Sequence, residues 1–131
     1  MASISTVFLD GTTHPDFQHT YKISGTVTEA DEGKAVTLDS TVANTVKLAG
    51  ADDVVIGRLF RYENRVVEGV KLATVETKGG MRLPKLASTV VAVGDSVVGE
   101  AAGLVKAAAS PNWASNFVVE VGTDYVVAMF N

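Results

Sequence analysis

The chain has 131 residues, the size of one ordinary domain. Its 11 Lys and Arg residues against 15 Asp and Glu residues give a net charge of −4, which argues against a nucleic-acid partner because such a surface needs a basic stripe. The absence of cysteine excludes disulfides, thiol catalysis and zinc–thiolate sites. No signal peptide is visible and no apolar run approaches the ~20 residues that span a bilayer, so we expect synthesis in a cytoplasm and no membrane partner.

The composition favours β-structure. Twenty-two valines and thirteen threonines are β-branched side chains that suit the pleated surface of a strand. Twelve glycines and three prolines predict frequent turns without a disordered, proline-rich tail.

The N-terminal residues 1–16 differ from the rest of the chain. They contain one apolar cluster, Val7-Phe8-Leu9, followed by turn-prone residues, and we interpret them as an extended arm. A frayed terminus is the alternative, but three consecutive apolar side chains are costly to leave in water. The single β domain is predicted to follow, over residues 17–131.

The first strand is predicted from Phe17 to Ser24. Phe17, His19, Tyr21 and Ile23 alternate with polar residues, the period of a strand with one solvated face.

The middle of the chain predicts short strands and tight turns. Turn signals at residues 31–33 and 50–53 separate the first of these strands. Strands are expected at Ala35–Leu38, Val46–Ala49, Val54–Tyr62 and Arg65–Lys78, with Glu63-Asn64 as a hairpin loop. Gly79-Gly80 resembles a two-residue hairpin turn, so Met81–Leu83 is expected to pair back until Pro84 ends the strand.

The C-terminal third predicts further hairpins. A strand over Val90–Val93 meets a turn at Gly94-Asp95, and Val97-Val98 is expected to pair with Leu104–Lys106. After a loop over Pro111–Asn116, two strands, Phe117–Val121 and Tyr125–Phe130, form a terminal hairpin. The spacing predicts an all-β fold, a small antiparallel barrel or sandwich.

Metal and hydrolase chemistry have weak support. His14, Asp16 and His19 lie within six residues and are metal-ligand types, but His19 shares a strand face with Phe17 and Tyr21, and surface histidines explain them better. Gly94-Asp95-Ser96-Val97 is similar to the serine block of GDSL-type esterases, yet a nucleophilic serine needs a histidine base. We expect a tight turn there instead.

Charged clusters also have simple structural explanations. The pairs Asp31-Glu32 and Asp52-Asp53 lie in polar loops, where neighbouring carboxylates are usually solvated rather than catalytic. Arg58, Arg61 and Arg65 alternate with glutamates, as on a mixed-charge hairpin face. We predict no catalytic, cofactor or metal site, and no enzyme activity.

Four segments resemble the capsid decoration (cement) proteins of tailed bacteriophages. They are Val54–Leu59, Val75–Pro84, Val91–Val98 and the hairpin Ala101–Lys106. The resemblance covers roughly residues 35–130 and implies a β-tulip-like domain that acts as a homotrimer. It also implies a place on the outer surface of the virion, at threefold and quasi-threefold positions, with the major capsid protein as partner and no cofactor.

The arm and the root of the first strand are the predicted capsid-binding element. Its predicted capsid-binding residues are Val7, Phe8, Leu9, Phe17 and Tyr21. Phe17 and Tyr21 would also anchor the first strand at the root of the arm, and the loop around Trp113 is a second candidate contact. The alternatives are another structural β module, such as a head-fibre base, tail component or surface-array subunit, a hydrolase using Ser96, and a nucleic-acid-binding barrel.

Overall fold

A computed structural model of the protein describes residues 18–24, 26–65 and 70–131. Ten strands occur in the described part of the chain, with a single turn of 3-10 helix at Glu29–Asp31. The strands are β1 Gln18–Ile23, β2 Ala35–Leu38, β3 Thr45–Leu48, β4 Gly57–Arg65, β5 Val70–Glu76, β6 Gly79–Pro84, β7 Val97–Gly99, β8 Val105–Ala107, β9 Asn116–Val121 and β10 Tyr125–Phe130. The all-β fold predicted from composition and alternation is confirmed.

The first five strands form a closed barrel in the order β1-β3-β2-β4-β5. Strand β5 pairs with both β4 and β1, which closes the sheet and leaves no free edge. All pairs are antiparallel except β1 with β3, which is parallel. The sequence predicted an antiparallel barrel or sandwich, and the barrel differs from that prediction in this one pair. Seven buried side chains fill its interior: Ile23, Val27, Val36, Val46, Leu59, Ala73 and Val75.

The later strands form two smaller sheets. One has the order β6-β10-β9, and the other is the hairpin β7-β8. The predicted hairpins β7-β8 and β9-β10 are confirmed.

A second apolar core connects these sheets to the barrel. It contains Met81 and Leu83 of β6 together with Val118 of β9 and Val126 of β10. Strand β2 contributes to both cores, because Ala35 packs into this second cluster and the next residue, Val36, packs inside the barrel. The alternation of a strand thus connects the two cores through one element.

The predicted hairpin at Gly79-Gly80 is wrong. Strand β6 pairs with β10, from Gly79 opposite Phe130 to Pro84 opposite Tyr125. A two-residue type I′ turn needs positive φ at both central residues, and only Gly79, with φ 94°, has it among these two. The chain therefore turns at Gly79 and passes from the barrel into the sheet β6-β10-β9, which we call the second sheet. Pro84 ends β6, which lies at the edge of its sheet.

Two further local predictions are wrong. Glu63 and Asn64 are not a hairpin loop, because they lie inside β4 opposite Leu72 and Lys71 of β5. Residues 90–93 form no regular strand. There the Asp95 N–H donates to the Ala92 carbonyl at 3.1 Å, and the Asp95 carboxylate accepts from the Ala92 N–H at 2.9 Å. Ala92 is therefore hydrogen-bonded within a turn rather than to a neighbouring strand.

The described residues contain no helix that is long and apolar enough to cross a membrane.

Candidate functional site

Most of the predicted capsid-binding residues lie outside the described residues. This applies to the proposed arm, 1–16, with Val7, Phe8 and Leu9, and to Phe17; the candidate ligands His14 and Asp16 lie there as well. Tyr21 is described. It lies in β1 opposite Ala73 of β5, is half-buried, and packs against the barrel core.

Trp113, the second predicted contact, is exposed and yet firmly held. It is 63% exposed in the loop between β8 and β9. Its indole Nε1 donates to the Gly94 carbonyl at 2.8 Å, and the Asn131 side-chain amide donates to the Trp113 carbonyl at 2.6 Å. The ring also meets Phe117, with centroids 6.2 Å apart. The side chain and the backbone of Trp113 are therefore both fixed, while most of its surface faces solvent.

The turn that receives the indole is itself anchored to β9. Gly94 has φ 94°, a conformation that favours glycine. Its N–H donates to the Val118 carbonyl at 2.9 Å, and the Val118 N–H donates to the Asp95 carbonyl at 2.8 Å. These two bonds attach the turn to β9, and the indole of Trp113 is bonded to the same turn.

Exposed uncharged residues lie in the two segments that the hydrogen bond from Trp113 to Gly94 joins. We call the exposed residues of segments 90–93 and 109–114 the Trp113 surface. They are Val90, Ala92, Val93, Ala109, Ser110, Pro111, Asn112, Trp113 and Ala114. Val90 is 86% exposed and Val93 is 67% exposed, whereas Val91 between them is buried in the second core.

Sequence reasoning found only part of this surface. It singled out the Trp113 loop but assigned Val90–Val93 to a strand, which hid the exposure of Val90 and Val93. A signal was present in the sequence: residues 86–94 and 107–119 contain no Asp, Glu, Lys or Arg. Runs without charge are expected in a core or an interface.

Ser96 has a structural role in the fold. It is buried, at 3% exposed. Its hydroxyl donates to the Asn116 carbonyl at 2.8 Å and accepts from the Asn112 N–H at 2.6 Å. Asn116, also buried, accepts from the Val97 N–H at 2.8 Å through its side-chain oxygen. Ser96 therefore connects the Trp113 loop to β9 and is turned away from solvent.

Three residues of the acidic pairs, Asp31, Asp52 and Asp53, are bonded within the protein. Burial alone would raise the pKa of the Asp31 carboxyl, but the Thr28 N–H and the Lys34 ammonium, which bond to it, hold that pKa below its ordinary value. Asp53 accepts from the Gly50 N–H at 2.8 Å, and Asp52 pairs with Lys106 at 2.9 Å. These contacts are those of turn and surface residues.

An open cleft of about 440 Å³ lies between the 3-10 turn, the barrel and the second sheet. It is lined by Glu32, Gly33, Lys34, Arg58, Arg82, Pro84, Asp124 and Tyr125. Its three cationic side chains have partners within the protein: Lys34 binds Asp31, Arg58 binds Glu76, and the Arg82 guanidinium lies 4.2 Å from the Tyr125 ring centroid. The cleft offers mixed charge and no single ligand chemistry.

Two arginines of the predicted cluster, Arg58 and Arg61, differ in exposure. The Arg58 side chain is only 15% exposed, whereas Arg61 is exposed, with its guanidinium 5.6 Å from the Phe60 ring centroid. Within the described residues, no group of three or more histidines or carboxylates is placed to hold a metal ion, and His19 is exposed on β1.

No protein-family model matches the sequence, and no curated protein matches it significantly.

Proposed function

We propose that the protein is a structural component of a virion: a decoration protein that binds the outer surface of a tailed-phage head at threefold and quasi-threefold positions and stabilises the shell. In this proposal it acts as a homotrimer on the major capsid protein. It performs no catalysis and needs no cofactor, nucleic acid or membrane.

The observation that carries an assembly role is the Trp113 surface. Tryptophan is enriched among the residues that dominate binding energy, and here it is held by the Gly94 and Asn131 hydrogen bonds before any partner arrives. Such preorganisation lowers the entropy cost of binding. A protein that only adds contacts between shell subunits needs a surface of this kind.

The choice of a phage head as the target is supported by the sequence resemblance. Its segments fall in several parts of the domain. Residues 54–59 include the start of β4, and residues 75–84 cover the passage from β5 to β6. Residues 91–98 contain the Gly94 turn and the start of β7, and residues 101–106 contain the turn before β8 and its first two residues. The resemblance therefore falls on the residues that shape the domain rather than on an isolated motif.

The energetics of such a protein are simple. Binding to the assembled shell but not to dissociated subunits stabilises the shell by mass action. The three linked contacts of a trimer bind more tightly together than a single contact does. Burial of Val7, Phe8 and Leu9 is worth ~1.5–3 kcal/mol each, against ~1–2 kcal/mol per ordered backbone residue. The arm is therefore expected to bind only with added strand-like hydrogen bonds to a capsid subunit.

The test uses heads assembled without this protein. Full-length protein is added, bound protein is measured by co-sedimentation, and the heads are imaged. We expect density at the threefold and quasi-threefold positions and greater resistance of the shell to heat. Absence of binding, or density only at fivefold or twofold positions, contradicts the proposed function.

A truncated chain tests the arm separately. Deletion of residues 1–15 leaves all the described strands, because β1 begins at Gln18. We expect a similar melting temperature and sharply reduced binding to heads. Equal binding by the truncated protein would move the capsid contact elsewhere in the domain, and failure to fold would show that Val7 to Leu9 belong to the core.

A further inference from the structure

We propose that the outer edge of β6, the side that faces away from β10, binds residues 10–15 of the same chain. The residues before β1 then continue past Gln18 as an added strand of the second sheet. This contact needs neither a capsid nor a second copy of the chain, so it goes beyond the proposed function and can hold or fail independently of it.

The ladder between β6 and β10 shows which backbone groups of β6 face outward. The Lys85 N–H, one residue past β6, donates to the Asp124 carbonyl at 2.9 Å. Because bonded and non-bonded pairs alternate along an antiparallel ladder, Gly80 directs its N–H and its carbonyl away from β10. The Arg82 carbonyl points to the same side, since it accepts from the Arg58 Nη1 of β4 at 3.3 Å.

The outward backbone groups of Gly80 need a partner. Gly80 is buried, and β6 is an edge strand that pairs with β10 alone. Among the described residues, no hydrogen bond reaches the Gly80 N–H or carbonyl from the outer side. Buried backbone groups are almost always paired, and strand edges are normally covered, so this edge requires a strand-like partner.

The start of β1 lies next to this edge. Gln18 is opposite Glu76, the last residue of β5. Glu76 is bonded to Arg58, which also bonds to the Arg82 carbonyl of β6. Because β1 and β5 are antiparallel, residues before Gln18 run alongside the residues that follow Glu76, and these lead directly into β6.

The segment before β1 has the length and the residues that such a strand needs. Continued past Gln18, the register of β1 with β5 places residues 10–15 opposite the six residues of β6. Asp16 is then opposite the exposed Lys78, an opposite-charge pair of the kind that stabilises neighbouring strands. Pro15 is tolerated, because an edge strand accepts a proline on its solvent side.

A second unpartnered group lies where β1 begins. The side-chain nitrogen of Gln18 is buried and has no hydrogen-bond partner among the described residues. Buried side-chain donors are normally paired, and a backbone that continues from Gln18 along the edge of β6 brings carbonyl acceptors to this nitrogen. The Gly80 backbone and the Gln18 amide therefore both point to the same occupant.

Amide hydrogen exchange tests the contact, followed by NMR on isotope-labelled full-length protein without heads. We expect the Gly80 amide to exchange at least about 100-fold more slowly than an unprotected amide. The amides of Met81 and Leu83 are the internal reference, because Met81 and Leu83 bond to β10 whether or not the outer edge is covered. Nuclear Overhauser contacts between residues 10–15 and β6 are also expected, and a mixture of labelled and unlabelled protein shows whether they arise within one chain.

A matched pair of double variants assigns the protection to this segment. Thr12→Pro/Thr13→Pro removes two adjacent N–H groups, one of which faces β6 in any register. It should accelerate exchange of the Gly80 amide at least about tenfold and leave the reference amides unchanged. Ser5→Pro/Thr6→Pro places the same number of prolines beyond the length of β6 and should change neither. Because an edge segment opens locally without unfolding the domain, the melting temperature should change little in both variants.

Several results would overturn the inference. In the free protein they are a wild-type Gly80 amide that exchanges as fast as an unprotected one, an unchanged rate in Thr12→Pro/Thr13→Pro, and equal acceleration by Ser5→Pro/Thr6→Pro. Overhauser contacts that arise only between copies would assign the edge to a second copy, and protection that appears only with heads would assign it to capsid protein.

Head binding is scored separately from the exchange of Gly80. A protected Gly80 amide in a protein that does not bind heads would refute the proposed function alone. Head binding by a protein whose Gly80 amide is unprotected would refute this contact alone.

Discussion

Arg58 and Glu76 lie directly opposite each other on β4 and β5, and their side chains form an almost buried ion pair, with 15% and 4% of each side chain exposed. The Arg58 Nε donates to the Glu76 Oε1 at 2.9 Å. The Arg58 Nη1 also donates to the Arg82 carbonyl of β6 at 3.3 Å. This ion pair therefore connects the barrel to the second sheet at the point where the chain passes between them.

Removal of one partner of this pair is expected to be costly. Glu76→Leu leaves the Arg58 guanidinium buried without its counter-charge and should lower the free energy of unfolding by about 3–5 kcal/mol. The double variant Arg58→Met/Glu76→Leu should recover much of that loss, because no charged group is then left buried without a partner. Urea denaturation of the single and double variants measures both effects. A double variant no more stable than the single one would contradict this account.

Lys85 is a second group whose removal should destabilise the fold. Its ammonium is buried, at 6% exposed, and donates to the carbonyls of Leu86, Thr89 and Thr123 at 3.2, 3.0 and 2.9 Å. These bonds connect the loop after β6 to the turn between β9 and β10.

Lys85→Met leaves those carbonyls without their donor and should lower the free energy of unfolding by about 2–4 kcal/mol. Lys47→Met is the matched control, since Lys47 is exposed on β3, and it should change stability by less than about 0.5 kcal/mol. Chemical denaturation compares the two, and equal losses would show that the carbonyl contacts of Lys85 contribute little.

The stability of the protein should depend on pH through Asp31. The pKa of Asp31 is lowered in the folded state from its ordinary value of 3.8. A carboxyl with a depressed folded-state pKa contributes stability above its unfolded pKa and loses that contribution as the pH falls through the folded value.

Asp31→Asn should therefore destabilise the protein near neutral pH, by about 1 kcal/mol. The difference from wild type should begin to shrink as the pH falls below 3.8 and should disappear once the pH is below the lowered folded-state pKa. Thermal denaturation across this pH range measures the effect. Glu29→Gln, in the same 3-10 turn but exposed, is the control. A difference between Asp31→Asn and wild type that stays constant with pH would exclude the ionised Asp31 as its cause.

Ser96→Ala should lower stability without abolishing binding to heads. Loss of a buried hydroxyl that bonds to Asn116 and Asn112 is expected to cost about 1–2 kcal/mol, while binding to heads stays intact. Wild-type protein should also resist labelling by a fluorophosphonate. Labelling at Ser96, or loss of function in a folded Ser96→Ala variant, would revive the hydrolase alternative.

Local pattern predicted the strands of this protein well. The alternation at β1, the turn signals around β2 and β3, and the hairpins β7-β8 and β9-β10 depend on neighbours along the chain, which a sequence displays directly. Composition likewise favoured an all-β domain. The loop around Trp113 was predicted as a loop, and its role as a second contact stays a prediction.

The tertiary structure decided which strands pair and which side chains meet. Strand β6 has the periodicity of a strand whether it pairs with β5 or with β10, and the choice follows from burial of Met81 and Leu83 in the second core. Arg58 meets Glu76 eighteen residues later, and Trp113 meets Gly94 nineteen residues earlier. Such contacts depend on strand pairing and closed loops, whose free energies are set by the whole packed domain rather than by local preference.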